Sequence, residues 1–530
     1  MEIVDPNRHS LEKIRKPKSV VFGRKAIRIE DVVALARGEV EAFLDDDAGY
    51  RAKLKGGQQL VQELFEAGKT PIYGMSTGVG SSVGNAIPSE FAGKLGVNLF
   101  RFHGVGTGRI LNDTEAAAIV AARLSGLAKG YSGVGAELLE RLCLLLNERV
   151  LPQIPAEGSV GASGDLTPLS YLAAALTGER EVSFQGRVMP AADALREIRV
   201  DPLLLSARDT LAIMNGTSAM TGLACLAFDR AQTLAALAAT VTAMVSDAIH
   251  GNPEHFSARI FELKPYPGSV QAATWIRAHL ASAPERIPAR LQDRYSVRCA
   301  PHVIGVLLDT LTTTREMLET ELNSVDDNPI VDLESGTVLH GGNFYGAHVC
   351  AVMDSLKITV ASVADLLDRQ LALLCSPETN GGLPENLVRV TGPEALVHHG
   401  FKAMQISASA LAAEALKLTF PAAAFSRSTE SHNQDKVSMG TIAARDCLRI
   451  LELTESVAAI GLLATAQAVD LRGTAACSSH SVAMRDAVRE RVPVLEHDRR
   501  QDIDIEQVLR LHREGLLPCP APTDGSTAEA

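Results

Sequence analysis

From about residue 207 onward, apolar positions recur at three- and four-residue steps. In VCAVMDSLKITVASVADLLDRQLALL, residues Val349, Met353, Leu356, Val360, Val363 and Leu367 fall on one stripe, the spacing of a helix face. The same rhythm predicts long helices over 207–251, 302–324, 346–374, 398–417 and 437–470. They are longer than most globular helices and apolar on more than one face, so they belong inside a bundle or against other subunits. The first 200 or so residues are shorter elements. KSVVFG (18–23) reads as a strand, and VSFQGRVMP (182–190) as a hairpin turning at Gln185-Gly186. A second hairpin is expected in IVDLESGTVLHGG (330–342), turning at Ser335-Gly336. The expected fold is mainly α, a long-helix bundle with a smaller mixed N-terminal part. Residues 1–514 contain no linker that would divide them: a mixed part runs to about 200, the bundle to about 480 and C-terminal helices to 514. The tail GLLPCPAPTDGSTAEA (515–530) is rich in Pro and Ala and is expected to be disordered.

Composition narrows the function. The formal net charge is −12, and no Lys/Arg block interleaved with aromatics occurs, which argues against a nucleic-acid partner. AQTLAALAATVTAMVS (231–246) is too short and too rich in Thr and Gln to span a bilayer, so no membrane partner is expected. The chain begins Met-Glu-Ile-Val-Asp without an apolar signal core, and its eight cysteines form no CxxC pair. A cytoplasmic protein with reduced, mostly buried thiols and no metal is expected.

One stretch breaks the helical pattern. GSVGASGDLTPLS (158–170) sets Gly158, Gly161 and Gly164 around Ser163 and then returns to a helix. A hydrolase elbow needs G-x-S-x-G, and Gly164, Asp165 and Leu166 after Ser163 break that frame. A phosphate loop needs a Lys after the glycines, and none follows. A plain tight turn before LTPLSYLAAALTG is the bland reading. A sharper one is self-cyclisation. In a tight bend the Gly164 nitrogen can attack the Ala162 carbonyl, and loss of water leaves a five-membered ring with Ser163 as a methylidene group. The bend needs a small residue before the serine and an unhindered glycine nitrogen after it. The product is an electrophile that no ordinary side chain provides.

Ala162-Ser163-Gly164-Asp165-Leu166 resembles the self-processing segment of the aromatic amino-acid ammonia-lyases and aminomutases. YGMSTGVG (73–80), NGTSAMTG (215–222), YSVRCAPHVIG (295–305), ELNSVDDNP (321–329), HGGNFYG (340–346) and HNQDKVSMG (432–440) resemble further segments of that family, in family order. The likeness covers about residues 20 to 510. It implies the fumarase/aspartase-like helical fold and a 4-methylidene-imidazol-5-one group (MIO) made from Ala162, Ser163 and Gly164, with no external cofactor. It also implies a homotetramer whose active sites are shared between subunits, acting on a small amino acid.

The reaction removes an amine, a poor leaving group, and a barely acidic β-proton, so it needs an electrophile and a base. By resemblance Tyr73, in a glycine-rich lid, is that base; phenol titrates near pH 10 in water, so the site is expected to lower its value. Asn215 resembles the residue that hydrogen-bonds MIO and substrate, and Arg298 the fork for the substrate carboxylate. Tyr295 resembles the residue beside the MIO, Phe344 one that packs along it, and Gln292 and Asn328 polar residues of the same pocket.

Substrate choice rests on four residues. Phe102 and His103 stand where the family meets the far end of the substrate side chain. Histidine lyases resemble Ser-His there, phenylalanine lyases Phe-Leu or Val-Leu, and many tyrosine lyases His-Leu; Phe-His matches none of them. Gln434 stands where histidine lyases carry Glu, and Glu430 where phenylalanine lyases carry an amine-contacting Glu. A neutral Gln offers an imidazolium no countercharge, which favours an aryl substrate. His103 can hydrogen-bond a phenol and would be left unpaired beside a plain phenyl ring, which tilts the reading to L-tyrosine, with L-phenylalanine open. Histidine ammonia-lyase and an aromatic 2,3-aminomutase remain the alternatives.

Overall fold

The computed structural model describes residues 19–288 and 290–521. Strand β1 (Ser19–Phe22) pairs in parallel with β2 (Glu41–Leu44) across helix α1 (Ile29–Arg37), and α2 (Ala48–Ala67) and α3 (Ser89–His103) follow. Next come β3 (Thr107–Ile110), α4 (Asp113–Leu127), α5 (Ala136–Asn147), β4 (Leu151–Pro152), β5 (Pro155–Glu157) and α6 (Leu166–Leu176). The hairpin of β6 (Glu181–Phe184) and β7 (Arg187–Pro190) turns at Gln185-Gly186 as expected, where both residues have positive φ, and leads into α7 (Ala191–Glu197).

The bundle begins with α8 (Ala207–Met214) and α9 (Ser218–Ala248). It continues through α10 (Ala258–Glu262), α11 (Pro267–Leu280), α12 (Tyr295–Arg298) and α13 (Ala300–Leu322). The second expected hairpin, β8 (Ile330–Asp332) with β9 (Thr337–Leu339), precedes α14 (Ala347–Cys375), α15 (Lys402–Lys417), α16 (Gly440–Arg472), α17 (Ser479–Arg489) and α18 (Asp502–Arg513).

Helices α9, α13, α14 and α16 pack on one another to form the core. From Ala231 to Ala248 nearly every α9 residue is buried, including Leu234, Leu237, Val241 and Met244. A helix apolar all round must be enclosed. Burial of each such side chain contributes about 1.5–3 kcal/mol. Charges inside the bundle are paired: Glu455 on α16, 1% exposed, accepts both Arg230 and Arg513. The eight cysteines are free thiols. Among the described residues no helix is long and apolar enough to cross a membrane.

Two expectations need correction. The helix expected over 207–251 is two helices: α8 stops at Met214, and Asn215, with ψ 104°, breaks the run before α9 starts. Of the tail expected to be disordered, residues 515–521 are placed, and Leu517 is buried in the core because apolar surface outweighs the two prolines beside it. Residues 522–530 lie outside the described residues.

Candidate active site

The helix break places the site. A cavity of about 400 Å³ is lined by Tyr73, Phe102, His103, Ser163, Asn215, Glu430 and Gln434, seven of the residues singled out in the sequence. Val79, Ile87, Leu95, Leu99, Leu166 and Leu211 complete an apolar wall.

Ser163 sits on a bend fixed from below. Gly161 and Gly164 both have φ +68°, and the backbone of Ala162 pairs with that of Gly164 across the serine. A Cβ on Gly164 would lie 2.1 Å from the Gly216 carbonyl oxygen, so only glycine fits. That carbonyl accepts the Asp165 amide at 2.7 Å. The Asp165 carboxylate is fully buried and accepts from Met220 N (2.8 Å), Ser159 Oγ (3.1 Å) and Thr441 Oγ1. Burial pushes this carboxyl up to about 6, and those donors oppose the rise. The steric conditions for ring closure, small residues and a sharp bend, are met by residues 161–164. Asn215 Oδ1, buried beside them, finds no donor among the described residues and stands as an acceptor on the cavity wall.

Two loops close the cavity. Tyr73 precedes a single 3₁₀ turn at Gly80–Ser82, and its Oη accepts the Gly80 amide at 2.8 Å. Glu430 accepts from Ser81 N (2.9 Å) and Ser81 Oγ (2.6 Å), tying the lid to the opposite loop. Burial would raise the Glu430 carboxyl, but these donors hold it below its ordinary value. Glu430, Ser431 and His432 all adopt positive φ. Non-glycine residues pay roughly 1–2 kcal/mol each for that conformation. The turn directs Glu430 to the lid and Gln434 to the serine, whose Oγ accepts Gln434 Nε2 at 3.0 Å. Contrary to the expected lowering, the Tyr73 phenol lies above its ordinary value within this chain: burial raises it, Glu430 adds to that, and the Gly80 amide opposes both.

At the far end His103 Nδ1 lies 2.9 Å from the Leu99 carbonyl one helical turn back. A carbonyl only accepts, so Nδ1 carries the proton and Nε2 keeps its lone pair. Burial lowers the basicity of this ring and keeps it neutral near pH 7. Phe102 lies against it, the ring centroids 4.2 Å apart and the planes tilted by 34°.

The remaining expected residues lie elsewhere on the chain. Asn328 lines a neighbouring hollow with Tyr73 and His340. Tyr295, 72% exposed, and Arg298 form the single turn α12, with the guanidinium 4.7 Å above the tyrosine ring. Gln292 is exposed just before α12, and Phe344 lies in the turn before α14. None of these five lines the cavity around Ser163. Sequence reasoning missed Leu99, Gly216 and Ser81. Leu99 and Gly216 each had a signal: Leu99 stands four residues before a histidine on a helix, and Gly216 completes an Asn-Gly turn pair.

Away from the cavity, Glu394, His398 and His497 bring one ligand atom each to within 4.8 Å of the others. The Asp498 amide donates to His398 Nδ1 at 3.1 Å, which leaves the proton of the neutral ring on Nε2, the nitrogen that faces Glu394. That tautomer has no lone pair to offer a cation there.

The profile of the aromatic amino acid lyase family matches residues 27–490, most of the chain. The chain belongs to the aromatic amino acid lyase family. It is a carbon–nitrogen lyase. It is 37% identical over 498 residues to the histidine ammonia-lyase of Gloeobacter violaceus, covering 93% of this chain and 95% of that protein. It is 36% identical over 517 residues to the tyrosine ammonia-lyase of Cupriavidus metallidurans, covering 92% and 95%. The crystal structure of the tyrosine aminomutase from Streptomyces globisporus superposes with TM-score 0.88 at 35% identity, covering 94% of this chain and 97% of that one. The mainly helical fold expected from the sequence is therefore the lyase fold.

Proposed function

We propose that this lyase releases ammonia from an aromatic L-amino acid whose ring carries a hydrogen-bond donor at its far end, L-tyrosine first, giving p-coumarate. The observation that carries the reading is His103, whose tautomer is set by Leu99 so that Nε2 can accept but not donate. A phenol supplies the proton it lacks; a plain phenyl ring does not.

The residues divide the work as follows. MIO made from Ala162-Ser163-Gly164 supplies the electrophile that makes the substrate amine a leaving group. Tyr73, as phenolate, takes the β-proton, and the apolar wall of Leu99, Leu166 and Leu211 keeps water away from it. Asn215 Oδ1 accepts an N–H of the amine and so orients it. Arg298, whose Nε has no partner among the described residues, forks the carboxylate from a neighbouring subunit, with Tyr295, Phe344, Asn328 and Gln292 contributing at the same junction.

That junction needs an assembly, and the surface supports one. Val306 on α13, Ile358 on α14, Ile406 on α15 and Phe420 just beyond α15 are each more than half exposed. Closed symmetric assembly is the usual way to cover such faces, and a homotetramer is the proposed state. Mixing inactive Tyr73→Phe chains with inactive Arg298→Ala chains is expected to regenerate up to about a quarter of the sites by random co-assembly. Sedimentation and an ammonia-release assay on the mixture check this; full activity in a dilute monomer overturns it.

A second reading, L-histidine to urocanate, is the one most of the similar proteins favour, since they are named histidine ammonia-lyases, and a neutral imidazole can also donate to His103 Nε2. Against it, both Glu430 oxygens are engaged by Ser81 and Gln434 is uncharged, so an imidazolium would meet no free carboxylate. Ultraviolet traces with tyrosine, phenylalanine and histidine separate coumarate, cinnamate and urocanate. A flat trace with a new β-amino acid in the mass spectrum would mean an aminomutase.

The hydrogen bond to a substrate hydroxyl contributes roughly 1 kcal/mol, and stranding the imidazole beside a phenyl ring costs about 1–3. Wild type is therefore expected to prefer tyrosine over phenylalanine by about ten- to a hundredfold in kcat/KM. His103→Leu should shift that preference to phenylalanine. An unchanged ratio would show that His103 does not read the ring.

A further inference from the structure

The Gly216 peptide, on which the bend at Ser163 rests, is itself clamped from its other side. A Cβ on Gly216 would lie 1.7 Å from Arg123 Nη1 and 2.6 Å from Asp326 Oδ2, so both groups press directly on this glycine. Arg123 on α4 is fully buried. Its Nη1 donates to the Asn215 carbonyl (3.3 Å), to Ser218 Oγ (3.2 Å) and to Asp326 Oδ2 (3.1 Å). Asp326 Oδ2 also accepts the Thr217 amide at 2.8 Å. Thr217 Oγ1 in turn donates to Glu321 Oε1 at 2.6 Å. One ion pair therefore grips the helix break at the residues before and after Gly216.

We propose that Arg123 and Asp326 are positioning residues for the self-processing of Ala162-Ser163-Gly164, holding the Gly216 peptide as a fixed face against which that segment bends. This rests on the reading of Ser163 given above. The sequence of contacts is short: Arg123 and Asp326 fix residues 215–217, the Gly216 carbonyl fixes the Asp165 amide and abuts Gly164, and Gly164 is the nucleophile. In the step itself the Gly164 nitrogen bonds to the Ala162 carbonyl carbon. The carbonyl oxygen leaves as water with the Gly164 and Ser163 amide protons. The Ser163 hydroxyl then leaves as a second water with its Cα proton, so atoms balance and no oxidant is needed. The first bond forms only if nitrogen and carbon are held closer than an open turn would place them. A displacement of about 1 Å can cost roughly a hundredfold in rate. A buried ion pair is a weak net stabiliser compared with well-packed apolar groups, so geometry is the better reason for one at this point.

The test is Asp326→Asn, which keeps the shape and an acceptor for Thr217 but removes the charge facing Arg123. Intact mass is followed from synthesis onward in the folded, assembled fraction, with circular dichroism and sedimentation as controls. The expected result is folded protein that sheds its two waters roughly a hundredfold more slowly than wild type, so that fresh preparations hold mostly unprocessed chain. Folded Asp326→Asn that is processed at the wild-type rate overturns the proposal, whatever its melting temperature. If that variant yields no folded protein, Arg123→Lys, which keeps a cation near Asp326 but loses the Nη1 contacts to the Asn215 carbonyl and Ser218 Oγ, is read by the same two outcomes. A wild-type chain that never loses water would instead overturn the reading of Ser163, so the two failures are distinguishable.

Discussion

Ser163→Ala is expected to abolish ammonia release, by at least about a thousandfold or some 4 kcal/mol of transition-state stabilisation, while the fold survives. No other side chain lining the cavity is an electrophile: the described walls are aliphatic, aromatic, amide, hydroxyl and one carboxylate. Without the serine Oγ no methylidene group can form, and the amine remains a poor leaving group. The structural cost is small. The Ser163 hydroxyl accepts one hydrogen bond, from Gln434 at 3.0 Å; losing it costs about 1 kcal/mol at a half-buried site. Helical content, assembly and melting temperature should therefore match wild type within a few degrees. Residual turnover near the wild-type rate would show that the amine leaves without this group.

Tyr73→Phe is expected to lower kcat by about a hundred- to ten-thousandfold, the usual contribution of a positioned base, with KM nearly unchanged. The variant also frees the Gly80 amide from its 2.8 Å bond to the phenol and so loosens the lid slightly. The pH profile distinguishes the two effects. Burial and Glu430 hold the Tyr73 phenol above its ordinary value. The phenolate is thus the minor form near neutrality, and its fraction grows about tenfold per pH unit below that value. For wild type kcat/KM should climb from neutral into alkaline pH, and the climb should vanish in Tyr73→Phe. A profile flat from about pH 6 to 9 in wild type would contradict Tyr73 as the ionising base, whereas a lid effect alone would leave the climb in the variant.

The sequence carried the site residues further than it carried their support. Gln185-Gly186 and Ser335-Gly336 announced their hairpins because each turn needs a residue that accepts positive φ. The long helices were legible from apolar spacing, yet that spacing concealed the break at Asn215, since Ala219, Met220, Leu223 and Leu226 resume the apolar rhythm on the far side. Asn-Gly is a turn signal, but inside a helical stretch periodicity alone outweighed it. The grip of Gly216 on Gly164, and of Arg123 and Asp326 on Gly216, joins residues far apart along the chain and leaves no local pattern. Leu517 was misjudged for the opposite reason: local composition around it suggests disorder, while the core it docks on is distant in sequence. The raised Tyr73 value was missed because burial of a loop side chain depends on the lid's contact with residues 430–434.

The central claim is that this chain builds its own electrophile from Ala162, Ser163 and Gly164. Intact mass of the purified active protein tests it most directly. The expected value lies two water molecules below the mass encoded by the sequence, and the deficit disappears in Ser163→Ala. Active wild-type protein at its full encoded mass would contradict the account.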